Sequence, residues 1–250
     1  MKRAAEHPRV LAAAGLDPSG RAGLVADVGA IAAAGGAPLA VATAVTAQGR
    51  RFLVSPVPDR VLDSELEAVL ELGRPGSVKV GMVPGPGALA VLWRRLAGLG
   101  VPVVVDPVVR TSRGERLSRL APGDYRRLAG PWTWLVPNAP ELGWLLGRST
   151  PRSLGEAKEM AATLLAEGFR AVVLKGGHLP GAPVDLLALP DRLVAFRGPR
   201  LSPRPEARGT GCRFASTLAT RLALGDGAEA AVRSARRAVR RYLGGRVART

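Results

Sequence analysis

The sequence predicts an α/β fold: a mostly parallel sheet covered by helices on both faces. Three observations predict it. Short apolar runs alternate with stretches whose apolar residues recur at helical spacing. Some runs, such as Val101–Val105 with four valines and a proline, carry no polar residue, as strands buried on both faces do. Polar residues also concentrate at the ends of such runs: Asp17, Gln48, Asp106, Asn138, Lys175 and Cys212. Ligands in parallel sheets bind beyond the carboxyl ends of the strands, so these residues mark a candidate site.

Each element follows in order. Val10–Ala14 reads as a buried strand. Leu24, Val28 and Ile31 then mark one face of a helix that stops at Gly35-Gly36. Leu39–Val45 is a second strand, residues 63–72 an acidic helix, and Val78–Val83 a third strand. A helix over 87–98 leads to Val101–Val105, which ends at Asp106. Trp134–Val136 is a short strand entering Pro137-Asn138. Ser153 and Glu156 have capping-box spacing for a helix through Ala166. Ala171–Leu174 is a buried strand ending at Lys175, and Asp185–Leu189 with Leu193–Phe196 reads as a hairpin. From Gly209 a helix opens with Phe214, Leu218 and Leu222 on one face and ends at Gly225. With no internal repeat and no long linker, residues 1–250 read as one domain.

Composition narrows the function. The 250 residues carry 36 Lys plus Arg against 20 Asp plus Glu, a formal charge of +16, and 47% hydrophobic residues exclude a disordered chain. One cysteine, Cys212, cannot close a disulfide within the chain, and two histidines do not make a multi-histidine metal site. No run approaches the ~18 apolar residues of a membrane span. Lys2-Arg3 and the apolar run Val10–Leu16 lead to no secretory cleavage site, so a cytoplasmic protein is expected. The arginines are scattered, with few aromatics between them to stack on bases. The densest group, Arg233, Arg236, Arg237, Arg240 and Arg241, shares an amphipathic helix with Val232, Ala235, Val239 and Leu243, so it reads as a solvated face. No specific nucleic-acid or membrane partner is expected.

Four segments carry candidate chemistry, each with a plainer reading beside it. In Gly209-Thr210-Gly211-Cys212, glycines before a helix let backbone N–H groups converge on an anion, and the helix N-terminus would draw Cys212 toward thiolate. The plainer reading is a capped loop with a small buried cysteine. Gly15 to Gly23 joins a strand to a helix without a Walker lysine; its glycines admit a close substrate or merely make a turn. Asn138 and Glu141 have capping-box spacing, or Glu141 is a carboxylate beside a magnesium–phosphate cluster. Lys175-Gly176-Gly177-His178 either reaches a phosphate or is a turn with an exposed lysine.

Together the pieces resemble the hydroxymethylpyrimidine/phosphomethylpyrimidine kinases of thiamine biosynthesis, in the ribokinase-like superfamily. The resemblance rests on "AGLDPSGRAGLVAD" at Ala14–Asp27, "ATAVTAQ" at Ala42–Gln48, "VKVGMV" at Val78–Val83, "VVVDPVV" at Val103–Val109, "VPNAPE" at Val136–Glu141, "LKGGH" at Leu174–His178 and "GTGC" at Gly209–Cys212, in family order over residues 10–245. It implies a ribokinase-like three-layer α/β/α sandwich and transfer of a γ-phosphoryl group from ATP, with Mg²⁺, to a pyrimidine hydroxymethyl or to its monophosphate. Carried over by motif, Gln48 would bond the aminopyrimidine edge, and Asp17, Met82 and Val108 would line the substrate pocket. Gly209, Thr210 and Gly211 would form the anion hole, and Cys212 would be the base. Asp106 and Glu141 would organise Mg²⁺, and Lys175 together with Asp106 would meet ATP. The partner implied is a small molecule, and a homodimer is the assembly that relatives often form. A pyridoxal-type kinase of the same superfamily and a non-catalytic pyrimidine- or nucleotide-binding paralogue stay open as alternatives.

The chain also departs from the family pattern. Arg21 stands where the family usually has glycine, Arg208 where it has histidine, and Arg213 where it has a small residue. The loop Val109 to Gly114 lacks the usual lysine. Arginine forks match phosphate oxygens bidentately, so these three arginines are expected to shift preference from the alcohol toward the monophosphate.

Overall fold

The structure is a computed structural model that describes residues 7–111, 113–179, 183–200 and 208–244, with only the backbone of His178. Lys2, Arg3 and Ser112 therefore lie outside the described residues. The chain runs β1 (Arg9–Leu16), α1 (Gly23–Ala33), β2 (Ala37–Gln48), β3 (Phe52–Pro56), α2 (Asp59–Glu71), β4 (Ser77–Val80), α3 (Pro86–Leu96) and β5 (Val103–Val105). It continues through α4 (Pro122–Arg126), β6 (Thr133–Leu135), α5 (Ala139–Leu146), α6 (Leu154–Leu165), β7 (Ala171–Leu174), β8 (Val184–Leu189), β9 (Arg192–Arg197), α7 (Thr210–Ala223) and α8 (Ala228–Gly244).

The strands form one sheet in the order β3-β2-β1-β4-β5-β6-β7-β8-β9. Pairing is parallel from β2 through β7 and antiparallel at the two margins, where β3 adds to β2 and β8 and β9 add to β7. Side chains alternate across a strand, and the two cores follow that alternation. Val10, Ala12 and Ala14 of β1 pack with Leu24 and Ile31 of α1, Leu218 of α7 and Val232 of α8. Leu11 and Ala13 of the same strand face the opposite layer, with Leu62 of α2, Leu92 of α3, Leu142 of α5 and Leu164 of α6. This is the three-layer α/β/α arrangement that the sequence predicts.

Several boundaries differ from expectation. β4 stops at Val80 rather than Val83, although Gly81 still donates its N–H to the Ala13 carbonyl of β1 at 2.8 Å. β5 begins at Val103 rather than Val101. α2 starts at Asp59, four residues before the expected helix, after Pro58. β3 and α4 carry no signal in the sequence, being five residues each and too short for periodicity, whereas α5 follows the capping-box spacing of Asn138 and Glu141. Ser153 Oγ accepts from Glu156 N at 3.1 Å, but the Glu156 carboxylate accepts from Arg152 N instead of Ser153 N, so the capping box is only half made. No helix among the described residues is long and apolar enough to cross a membrane.

Candidate active site

The β5 and β7 strands are wholly buried, flank β6 on either side, and end in Asp106 and Lys175. Their polar heads meet there, with Lys175 Nζ 2.5 Å from Asp106 Oδ1 and 3.7 Å from Glu141 Oε2. Glu141 reaches this point because Pro137-Asn138 opens α5. Asn138 Oδ1 accepts from Glu141 N at 2.9 Å, and Glu141 Oε2 accepts from Asn138 N at 2.7 Å. The two readings of Glu141 are thus compatible: it closes the capping box and also faces Lys175. Burial pushes the Glu141 carboxyl up to about 7, with Lys175 pulling it down and Asp106 pushing it further up. Burial alone would lower Lys175, but Asp106 and Glu141 outweigh it and hold the ammonium above the ordinary lysine range.

The glycine loop lies directly against this cluster. A Cβ on Gly211 would sit 3.4 Å from both Asp106 Oδ2 and Lys175 Nζ, so the loop backbone lies in direct contact distance of that pair. Gly209 has φ +71 and caps α7; a Cβ there would collide with the Arg21 carbonyl. At the end of β7, Gly176 leaves no space for a side chain against the Val184 backbone.

The Gly23 N–H of α1 faces Cys212 and exerts the weakest of the influences on its thiol, a downward one. The Cys212 thiol is not drawn toward thiolate as the helix N-terminus suggests. Burial pushes it up to about 11, and the carboxylates of Asp27 and Asp106 add to that, against the pull of Lys79. The dipole is outweighed because the sulfur has lost its water and faces two acids.

On the substrate side, Met82 packs with Ala44 and Leu117, and Val108 and Val54 border this small cluster, separate from both main cores. Met82 Cε would be 3.1 Å from a Cβ on Gly15. Asp17 is buried; its Oδ1 accepts from Ser19 N at 3.0 Å and its Oδ2 has no partner. A buried carboxylate oxygen without a partner suits an incoming donor. Gln48 closes β2 and donates through Nε2 to Thr46 Oγ1 at 3.1 Å, while Thr46 donates to the Leu16 carbonyl at 3.0 Å. Asp17, Gln48, Met82 and Val108 thus gather around the ends of β1, β2, β4 and β5. Asp106, Glu141, Lys175 and Gly211 form the adjoining polar cluster.

The three arginines point in different directions. Arg213 Nη1 donates to the Arg21, Arg208 and Gly209 carbonyls at 2.9, 3.2 and 3.2 Å, and its guanidinium lies 3.8 Å from the centre of the Tyr242 ring. It braces the loop from behind. Arg208 donates to Gln48 Oε1, and the Arg21 side chain is exposed. Sequence reasoning missed the buried residues beneath the loop. Lys79 Nζ lies 2.6 Å from Asp27 Oδ2, and Asp27 Oδ1 accepts from Ser216 Oγ at 2.8 Å. The available signal was a lysine inside the apolar run Ser77–Val80.

No group of three or more His, Cys, Asp and Glu among the described residues is placed to hold a metal. Asp106 and Glu141 offer the hard oxygen donors that Mg²⁺ takes, and phosphate and water ligands complete such sites in nucleotide enzymes.

The family model described as "Phosphomethylpyrimidine kinase" matches residues 17–248. The chain is 35% identical over 233 residues to the hydroxymethylpyrimidine/phosphomethylpyrimidine kinase of Streptomyces coelicolor, covering 92% of this chain and 86% of that protein. It is 36% identical over 230 residues to a thiamine biosynthesis multifunctional protein of Corynebacterium efficiens, covering 89% of this chain but only 31% of that longer protein. Among solved structures, the phosphomethylpyrimidine kinase of Clostridium difficile superposes with a TM-score of 0.77 at 29% identity, covering 92% of this chain and 96% of that one. The pyridoxal kinase of Staphylococcus aureus in complex with AMP-PCP superposes with a TM-score of 0.84 at 27% identity, covering 93% and 87%.

Proposed function

The chain belongs to the phosphomethylpyrimidine kinase family, and on that premise we propose that it transfers the γ-phosphoryl group of ATP to the hydroxymethyl oxygen of an aminopyrimidine, or to that compound's monophosphate. One observation carries the reading. The Asp106–Lys175 pair, Glu141 and the open Gly211 backbone meet at one point, with Cys212 next along the chain. Cation, carboxylates and a glycine-lined helix N-terminus are the parts that phosphoryl transfer requires, because its catalysis is chiefly positioning and neutralisation of charge.

In this reading a bond forms between the hydroxymethyl oxygen and the γ-phosphorus while the bond to the β-phosphate oxygen breaks, and ADP leaves. Lys175, held protonated by Asp106 and Glu141, meets the nucleotide phosphates. The N–H groups at Gly209, Thr210 and Gly211 meet the oxygens of the moving phosphoryl group. Mg²⁺, held through Asp106 and Glu141, would neutralise phosphate charge. Cys212 first releases its own proton to solvent and then, as thiolate, takes the hydroxyl proton. Gln48, Asp17, Met82 and Val108 hold the ring.

A second reading, a pyridoxal kinase, draws on the likeness to the Staphylococcus aureus enzyme. The test is ADP release in the presence of the hydroxymethyl aminopyrimidine, its monophosphate and pyridoxal. Turnover with either pyrimidine supports the proposal. Turnover with pyridoxal alone selects the second reading, and nucleotide or pyrimidine binding without any turnover marks a non-catalytic paralogue. Cytoplasmic localisation and a homodimer belong to the same proposal.

A further inference from the structure

The side chain of Gln48 is flanked by two groups that each permit one orientation of its amide. An amide has two kinds of end: an oxygen with two lone pairs and a nitrogen with two N–H groups. Thr46 Oγ1 gives its only proton to the Leu16 carbonyl, so toward Gln48 it can only accept, and it faces Nε2. The Arg208 guanidinium has no acceptor, so it can only donate, and it faces Oε1. A flipped amide would set N–H against N–H at one end and oxygen against oxygen at the other.

The backbone of Arg208 is itself fixed. Its carbonyl accepts from Tyr242 Oη at 3.0 Å and from Arg213 Nη1 at 3.2 Å. The two helices behind the glycine loop therefore hold the residue that orients the end of β2.

We propose that Arg208 and Thr46 are specificity-determining residues that lock the Gln48 amide in one orientation, so that the site accepts an amino-substituted pyrimidine edge and rejects its oxo counterpart. This rests on the function proposed above. Each end of the amide uses one hydrogen-bonding position internally and keeps one: a lone pair on Oε1 and an N–H on Nε2. An aminopyrimidine edge presents an exocyclic N–H beside a ring nitrogen acceptor, which complements that pair. The deaminated compound presents a carbonyl beside a ring N–H, the reverse order. A free glutamine would flip to suit either. A locked one must leave buried polar groups unpaired against the wrong edge, and that mismatch is what lets hydrogen-bonding sites discriminate strongly.

The experiment is calorimetric binding, without nucleotide, of the 4-amino hydroxymethylpyrimidine and of its 4-oxo analogue. The parent protein is expected to favour the amino compound by at least about thirty-fold. Arg208→Lys keeps a pure donor and Thr46→Ser keeps the hydroxyl, so both retain most of that ratio. Arg208→Gln can donate or accept, and Thr46→Val can do neither, so both reduce the ratio below about tenfold, chiefly by tightening the oxo compound. A general loss of folding would weaken both ligands and leave the ratio alone. If Arg208→Gln and Thr46→Val keep the parent ratio, the lock is wrong while the proposed function stands. If the parent binds neither pyrimidine, the proposed function falls and this inference falls with it.

Discussion

Lys79 Nζ lies 2.6 Å from Asp27 Oδ2 in the middle of the molecule, and neither side chain is exposed. Lys79 comes from β4 and Asp27 from α1, and Ser216 of α7 binds the other carboxylate oxygen at 2.8 Å. Gly23 and Asp27 are one helical turn apart on α1, as are Cys212 and Ser216 on α7. The Ser216–Asp27 bond ties α7 to α1, one turn beyond the point where Gly23 faces Cys212. Burial alone would lower Lys79, but Asp27, with Cys212 and Asp106 behind it, holds it above the ordinary range.

Breaking a buried pair leaves one charge without its partner. Lys79→Met is therefore expected to lower the unfolding free energy by ~3–5 kcal/mol in urea denaturation at neutral pH. Replacing both partners, Lys79→Met with Asp27→Leu, is expected to recover at least half of that loss, because the remaining cost is then packing. A single variant as stable as the parent sinks the argument.

The half-buried thiol makes a prediction about pH. Cys212 sits at about 11, so at pH 7 it is a neutral thiol and cannot yet accept a proton. Both iodoacetamide modification and kcat/KM are expected to rise about tenfold per pH unit from pH 7 to 9, with no plateau in that range. Cys212→Ala is expected to lose at least ~10²-fold in kcat and to lose the slope with it. A plateau of alkylation below pH 8 shows a thiolate at rest and refutes the assigned cause.

Glu141 gives a stability test with the opposite sign from most acids. Its carboxyl goes from an ordinary 4.5 up to about 7 on folding, so the folded state holds the proton more tightly. That contribution is whole below pH 4.5 and is lost as pH rises through about 7. Glu141→Gln keeps an amide oxygen for Asn138 N but cannot titrate. The variant should therefore gain on the parent by up to ~3 kcal/mol between pH 4.5 and 8, read as urea unfolding at each pH. The same variant should need more Mg²⁺ for turnover. If the two stability curves stay parallel, burial does not govern this carboxyl.

Much of this architecture is legible in the chain. The all-apolar runs that become β5 and β7 end in Asp106 and Lys175, and their side chains meet across the end of the intervening β6. Asn138 and Glu141 announce their own geometry by spacing. What the sequence hides is long-range polar pairing. Asp27 lies in a helix whose apolar face is otherwise Leu24 and Ile31, and its partners stand 52 and 189 residues away. The tuning of Cys212 was hidden for the same reason: a helix N-terminus is visible in sequence, whereas the buried acids that outweigh it are not. For the arginines, charge is legible in the sequence and direction is not. Arg213 points back at three carbonyls and a ring rather than toward a phosphate.

That bracing by Arg213 and Tyr242 leads to the final prediction. Arg213 binds the Arg208 and Gly209 carbonyls at the start of the anion loop and the Arg21 carbonyl beside it, and stacks 3.8 Å from the Tyr242 ring, while Tyr242 Oη holds the Arg208 carbonyl at 3.0 Å. A partly desolvated stack of this kind contributes ~0.5–2 kcal/mol. Its removal leaves the loop's N–H groups less well aimed, and misplaced donors cost rate. Arg213→Met is therefore expected to lower kcat/KM about tenfold, ~1.4 kcal/mol, for the alcohol and the monophosphate alike. Tyr242→Phe keeps the ring and loses one hydrogen bond, so it should fall between that variant and the parent. Equal loss on both substrates is the signature of a brace, since a brace acts on the transferring phosphoryl group that both reactions share. A selective loss of tenfold or more on the monophosphate would instead make Arg213 a reader of the substrate's own phosphate.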